Sequence, residues 1–282
     1  MSDDLRARIV ARFGSSGIRR FMVGNIGPDA GRIPLLVECG IPRQVGPYFL
    51  SSESDSLRLG AYHGTADTDD TGGKASWLCL GRDQGAQLCL DPSGKVRAEF
   101  DASGDPGALV NGSLDAFLES LIALDEALAL IGATRNVPER ATHIRTLLRR
   151  LAVIEQGAVQ SPDSWWSRVV EDIRHTSSHA SFAAFEFTDA EGKKQIVSEP
   201  GGMCLHPEER IWNGLREAGV TPAQVKKVHT ELEPCFMPGH YCTVWMAREF
   251  PHAEFTHSFG YGQTAQSREA SFLALLRQAA VK

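Results

Sequence analysis

No apolar run in this sequence of 282 residues approaches the length of about 18 needed to cross a bilayer. The first residues, Met1-Ser-Asp-Asp-Leu-Arg, lack the basic start and apolar stretch of a signal peptide. A disulfide framework is missing too. Six cysteines are scattered along the chain, and Cys39, Cys79 and Cys89 sit in apolar segments. These absences argue against a membrane-spanning or disulfide-stapled protein and lead us to expect a cytoplasmic one. Basic charge is scarce where a nucleic-acid grip would need it. Residues 161–282 carry a net charge of −3, residues 1–130 a net −6, and only 131–160 a net +3. Proteins that hold duplex nucleic acid show a basic footprint. A free nucleotide or a short single strand is therefore the expected substrate class.

What is present is enough chain for two domains, with a hydrophobic content of 42%, ordinary for globular proteins. The N-terminal part reads as α+β. A helix is expected over residues 3–13, paired strands over 77–80 and 86–90, and a tight turn at Asp91-Pro-Ser-Gly94. Asn111-Gly-Ser113 caps a helix expected over 114–131, which Gly132 and the stretch to Pro138 should break. A basic amphipathic helix follows, with Ile144, Leu147, Leu148, Leu151 and Ile154 as its apolar stripe. Trp165 and Trp166 are adjacent on a short helix and point in different directions, so burial of only one is expected. His63 stands alone, and Asp67, Asp69 and Asp70 read as a solvated loop.

The chemistry concentrates later. His206-Pro-Glu208 is followed by Glu233-Pro-Cys235 and then Cys242. An imidazole and two thiols can hold a zinc ion and leave its fourth position open, while Glu208 stays free to move protons. Pro207 suits a first helical position, so His206 should stand at the mouth of a helix over 208–218. Residues 225–233 read as a strand, and Pro234 then places Cys235 near a helix N-terminus, where the dipole favours a thiolate. Cys235 and Cys242 are seven positions apart. On one continuous helix that separation is roughly 10.5 Å, whereas two Zn–S bonds keep sulfurs within roughly 4.6 Å. A continuous helix is thus excluded if both bind, and Pro238-Gly239 reads as the turn that lets a helix restart near His240. Taken singly, the cysteines also fit core residues, His206 a helix cap and Glu208 a first-turn acid. His240 is the substitute ligand should Cys242 turn away. Cys204, His229, His252, His257, Glu231 and Glu233 read as structural.

His206-Pro-Glu208 before a helix, then Thr230-Glu-Leu-Glu-Pro-Cys235, resembles the cytidine deaminase-like superfamily. The second segment is similar to the tRNA adenosine deaminase stretch, and the long loop between cysteines to polymorphic-toxin deaminases. The usual pair of that superfamily is C-x-x-C, from which this chain departs. The resemblance covers about residue 161 to the end. It implies a three-layer αβα domain, zinc on His206, Cys235 and Cys242, and Glu208 as the proton shuttle. Strands are expected over 181–188, 193–198, 225–233 and 253–261 with a last helix over 266–279, and no counterpart of the usual fifth strand. The first 130 residues resemble the SUKH superfamily of immunity proteins, on Cys39-Gly40-Ile41-Pro42, Leu78-Cys-Leu-Gly81, Leu88-Cys-Leu-Asp91, Val110-Asn111-Gly-Ser113 and Phe117.

The resulting expectation is an α+β SUKH-like domain over residues 1–131, a helical linker over 132–160 and a zinc-dependent deaminase domain over 161–282. Its substrate would be a nucleobase in a nucleotide or single-stranded nucleic acid. Its SUKH-like half would bind a protein partner, within a bacterial toxin and immunity system. The alternative is a non-catalytic immunity or binding protein with a structural zinc site.

Overall fold

A computed structural model describes residues 2–22, 34–53, 58–62, 73–100 and 107–280. His63, Asp67, Asp69 and Asp70 lie outside them. The chain divides into two compact units, residues 1–133 with 142–167 and residues 134–141 with 168–282. Among the described residues no helix is long and apolar enough to cross a membrane.

The first unit begins with α1 (Ser2–Phe13), β1 (Ile18–Arg19), α2 (Pro34–Glu38) and β2 (Ile41–Pro42). Then come β3 (Gln44–Val45), β4 (Phe49–Ser51), α3 (Leu59–Tyr62), β5 (Leu78–Arg82), β6 (Gln87–Leu90), β7 (Val96–Glu99) and β8 (Ala108–Asn111). Strands β3 to β8 form a six-stranded antiparallel meander in chain order, the arrangement that short connections between successive strands favour. The turn between β6 and β7 is set by Asp91, whose Oδ1 accepts from the Ser93 and Lys95 amides at 2.8 and 3.0 Å. Cys79 and Cys89 are directly opposite on β5 and β6, with free sulfurs 3.1 Å apart.

Helix α4 (Leu114–Ala133) runs one residue past Gly132 before the break expected over the stretch to Pro138, and it buries Phe117, Leu118, Leu121 and Leu124. Helix α5 (Val137–Ile154) buries Ile144, Leu147 and Leu151, but Leu148 is 39% exposed, so the apolar stripe is narrower than its spacing suggests. The expected linker stretch thus divides, with residues 134–141 in the second unit and the rest from 142 in the first. Helix α6 (Trp165–Ser178) crosses the same division at Arg168. Both of its tryptophans are buried, against the expectation that only one would be. Each indole finds its own buried acceptor: Trp165 Nε1 donates to Asp83 Oδ2 at 2.7 Å and Trp166 Nε1 to Asn111 Oδ1 at 2.9 Å.

The second unit is a mixed sheet with its helices in the αβα arrangement. Strands β9 (Phe182–Thr188) and β10 (Lys194–Pro200) form a hairpin, α7 (Pro207–Glu217) leads to β11 (Val225–Leu232), and α8 (Cys242–Glu249) leads to β12 (Glu254–Phe259). Helix α9 (Ala265–Ala279) closes the domain with a Thr264 cap. The strand order is β10-β9-β11-β12, with only β11 and β12 parallel, as the α8 crossover requires. Among the described residues the sheet has four strands. Ile211, Trp212 and Leu215 of α7 and Met246 of α8 pack with Phe250 on Ala183, Phe185, Val225 and Val228 of the sheet. The helical and strand periodicities that predicted these elements therefore meet in one core, and they bring the C-terminal end of β11 beside the mouth of α7.

Candidate metal centre

The chain reaches α7 through Gly201 and Gly202 after β10. A Cβ at Gly201 would lie 2.9 Å from the Leu205 carbonyl oxygen and 3.0 Å from Pro207 Cδ, so only glycine fits that bend. His206 then sits in extended conformation at the entrance of α7, with Pro207 as the first helical residue. Its amide donates to Glu209 Oε2 at 3.0 Å, which anchors the backbone and leaves the imidazole free to turn inward.

Cys235 follows β11 in a loop rather than on a helix of its own. The helix N-terminus it meets is that of α8: Thr243 N donates to Cys235 O at 3.1 Å. Between the cysteines the chain turns at Pro238-Gly239, with Gly239 at φ +85°, and the His240 and Tyr241 amides both donate to Met237 O. Helix α8 begins at Cys242 itself, two residues later than the restart expected near His240. The excursion solves the spacing problem. His206 Nδ1 lies 3.4 Å from Cys235 Sγ and 3.4 Å from Cys242 Sγ, and the three donor atoms lie within 4.8 Å of one another.

The other nitrogen of His206 faces a residue that no sequence pattern singled out. Nε2 lies 2.8 Å from Oδ1 of Asp172, buried on α6, and Asp172 Oδ2 lies 3.1 Å from His240 Nε2. The His240 ring stacks on His206 at 3.9 Å and 9°, and its Nδ1 lies 2.9 Å from Glu209 Oε2. Both nitrogens of His240 thus face carboxylates, and it does not join the sulfurs as the substitute ligand. Burial and the His206 charge push its pKa down, but Asp172 and Glu209 outweigh them and hold it up at about 9. The two imidazoles in turn hold the Asp172 carboxyl well below the usual range despite its burial. Burial raises both thiols. The hydrogen bond from Cys242 and the neighbouring His206 overcome this at Cys235 and bring it well below its ordinary value, while Cys242 stays well above.

Glu208 is not one of the converging donors. It is 4% exposed, its Oε2 has no hydrogen-bond partner, and burial raises its carboxyl to about 7. It lines a cleft open to solvent, together with His206, Cys235, Thr230, Tyr261 and Phe272. The remaining candidates are elsewhere. Glu231 Oε2 accepts from Phe182 N and Glu233 Oε2 from Tyr261 N, tying strand ends together. His229 faces Thr256 and Ser258 of β12. His252 and His257 are exposed. Cys204, at φ +53°, donates its amide to Thr176 Oγ1 at 3.1 Å and is outside the donor group.

No curated protein and no solved structure matches the chain. Two family models do, one of a SUKH-4 immunity protein over residues 27–172 and one of a Xanthomonas-like deaminase over residues 178–278. The second span contains His206, Glu208, Cys235 and Cys242; the first continues beyond residue 131 through α5 and into α6. Through the longer of the two matches the chain belongs to the SUKH-4 immunity protein family, and it carries a deaminase-like domain in its C-terminal part.

Proposed function

We propose that the C-terminal domain is a zinc-dependent hydrolytic deaminase acting on a nucleobase, in a nucleotide or a single-stranded nucleic acid, within a bacterial toxin and immunity system. The observation that carries this reading is the pairing of three convergent soft donors with a buried carboxyl beside them, one oxygen of which has no partner. Tetrahedral zinc on one imidazole and two thiolates sets nitrogen–sulfur separations of about 3.6 Å, and the observed 3.4 Å fits. A structural site closed by four protein ligands has no use for a buried acid with an open oxygen, whereas a deaminase needs one.

When bound, zinc supplies Lewis-acid activation of water at the attacked carbon. Glu208 takes the proton released as the carbon–oxygen bond forms and delivers it to the ring nitrogen, then relays the second proton, from the new hydroxyl, to the amine as the carbon–nitrogen bond breaks and ammonia leaves. Its orphaned oxygen in the cleft is placed for such transfers, because no protein donor competes for it. Asp172 holds His206 with Nδ1 toward the sulfurs by accepting from Nε2. The SUKH-4 half is expected to bind a protein partner. The six free thiols suit the reducing cytoplasm, where we place the reaction. Incubating zinc-loaded protein with nucleosides, nucleotides and single-stranded RNA and DNA, and assaying ammonia, tests the reading. Release from none of them would overturn it.

A further inference from the structure

Glu208 is not the only buried side chain with an unpartnered polar atom at this cleft. Thr230, 1% exposed, has no partner for Oγ1, and His175, 5% exposed, has none for Nδ1; both residues line the same cleft. Buried polar groups are nearly always satisfied, and leaving one unmade is costly. Two residues carrying such atoms line one cleft, beside the proton-transfer acid, and a bound ligand would complete them.

The hydrogen-bonding sense of His175 can be read from its other nitrogen. Nε2 lies 3.0 Å from Arg174 Nη2, which can only donate, and 3.5 Å from Glu269 Oε2. The nearer contact, to Arg174, makes Nε2 the acceptor and assigns the hydrogen to Nδ1, although Glu269 can itself only accept. The ring is held in place by stacking on Phe272, with centroids 4.0 Å apart and planes at 17°. Burial, followed by the Arg174 charge, lowers its pKa to about 4, which keeps it a neutral donor. Thr230 stands on the central strand β11, between Ala183 of β9 and His257 of β12, and its hydroxyl can donate as well.

The geometry points to Thr230 and His175 as the residues that select the base, their donors favouring a 4-amino-2-oxopyrimidine, cytosine, over a 6-aminopurine. This rests on the deaminase reading above. In both rings hydrolysis forms a carbon–oxygen bond, breaks the exocyclic carbon–nitrogen bond and releases ammonia, with a proton passing to the adjacent ring nitrogen. The next ring position separates them. Cytosine carries a carbonyl oxygen there, an acceptor for a fixed N–H and a hydroxyl. Adenine carries a C–H, which would leave both donors buried and unpaired. Sites built to bond a polar group reject analogues lacking it far more strongly than apolar pockets reject small differences in size.

The test compares wild type, Thr230→Val, Thr230→Ser and His175→Phe in the full-length zinc-loaded protein. Substrates are cytidine, adenosine, and single-stranded oligonucleotides carrying one cytosine or one adenine. We expect kcat/KM to favour cytosine by at least about 100-fold. Thr230→Val and His175→Phe should each lower it on cytosine by roughly 10- to 100-fold, and Thr230→Ser should restore most of the loss. Because the Thr230 hydroxyl has no partner in the free protein, Thr230→Val should keep its zinc and a thermal midpoint equal to or above wild type, a result that a structural role would not give. Equal or faster turnover of adenine, full activity in Thr230→Val and His175→Phe, or loss of zinc and midpoint in Thr230→Val each overturns the selection proposal alone. Absence of ammonia from every substrate with the zinc-loaded wild type overturns the deaminase reading and this inference with it.

Discussion

Asp172 on α6 and His206 at the entrance of α7, 34 positions apart, meet at 2.8 Å and fix which nitrogen of the imidazole faces the two sulfurs. A carboxylate behind a histidine both orients the ring and raises its donor strength toward a metal. We therefore expect Asp172→Asn to weaken zinc affinity by about 10- to 100-fold, measured by competition with a chromophoric chelator. An affinity equal to wild type would show that the contact does not tune the site.

The donor set itself is tested by metal content. One zinc per chain is expected by elemental analysis, bound through His206, Cys235 and Cys242, and Cys235→Ser should lose most of it. Full retention in that variant would remove Cys235 from the site.

Glu208→Ala should separate chemistry from folding. Its Oε2 has no protein partner and it is not among the converging donors, so its removal should leave metal content and thermal midpoint nearly unchanged while abolishing ammonia release. General acid–base groups contribute about 10²- to 10⁴-fold, so even the weakest loss in that range is readily detected. Loss of zinc instead would make Glu208 a structural residue.

In the first unit, Leu147 is buried on α5 at 2% exposure. Leu147→Ala should destabilise the protein by about 2–5 kcal/mol, whereas Leu148→Ala, at an exposed position on the same helix, should change it by about 0.5 kcal/mol or less. Denaturant titration of both variants checks the difference. Similar losses in the two would mean that α5 packs through a wider face.

The ligand candidates could be read from the sequence because local rules govern where they sit. Pro207 marks a helix start, the β-branched run from Val225 marks a strand, and Pro238-Gly239 marks a turn. The positions of His206, Cys235 and Cys242 follow from these boundaries. Asp172 could not be found this way, since its role depends on α6 packing beside α7, and a lone acid on an amphipathic helix has no pattern of its own. A buried Glu171-Asp172 pair on a helix is the one signal available, and burial is visible only in the structure. Trp165 and Trp166 show the same limit. Helical geometry sends adjacent rings in different directions, but whether both are buried depends on Asp83 and Asn111, about 80 and 55 positions earlier. Leu148 erred in the other direction, a periodic apolar residue with no surface to cover.

His240 lies inside the loop between the two cysteines and is tied to Asp172 on α6 and Glu209 on α7. That loop therefore has an anchor of its own, made of charge-assisted hydrogen bonds rather than coordination. Small zinc modules fold only as the ion arrives, because their ligands have nothing else to hold them. Here His240 holds the loop between the cysteines to α6 and α7, so the path of that loop through Pro238-Gly239 rests on hydrogen bonds of the protein itself.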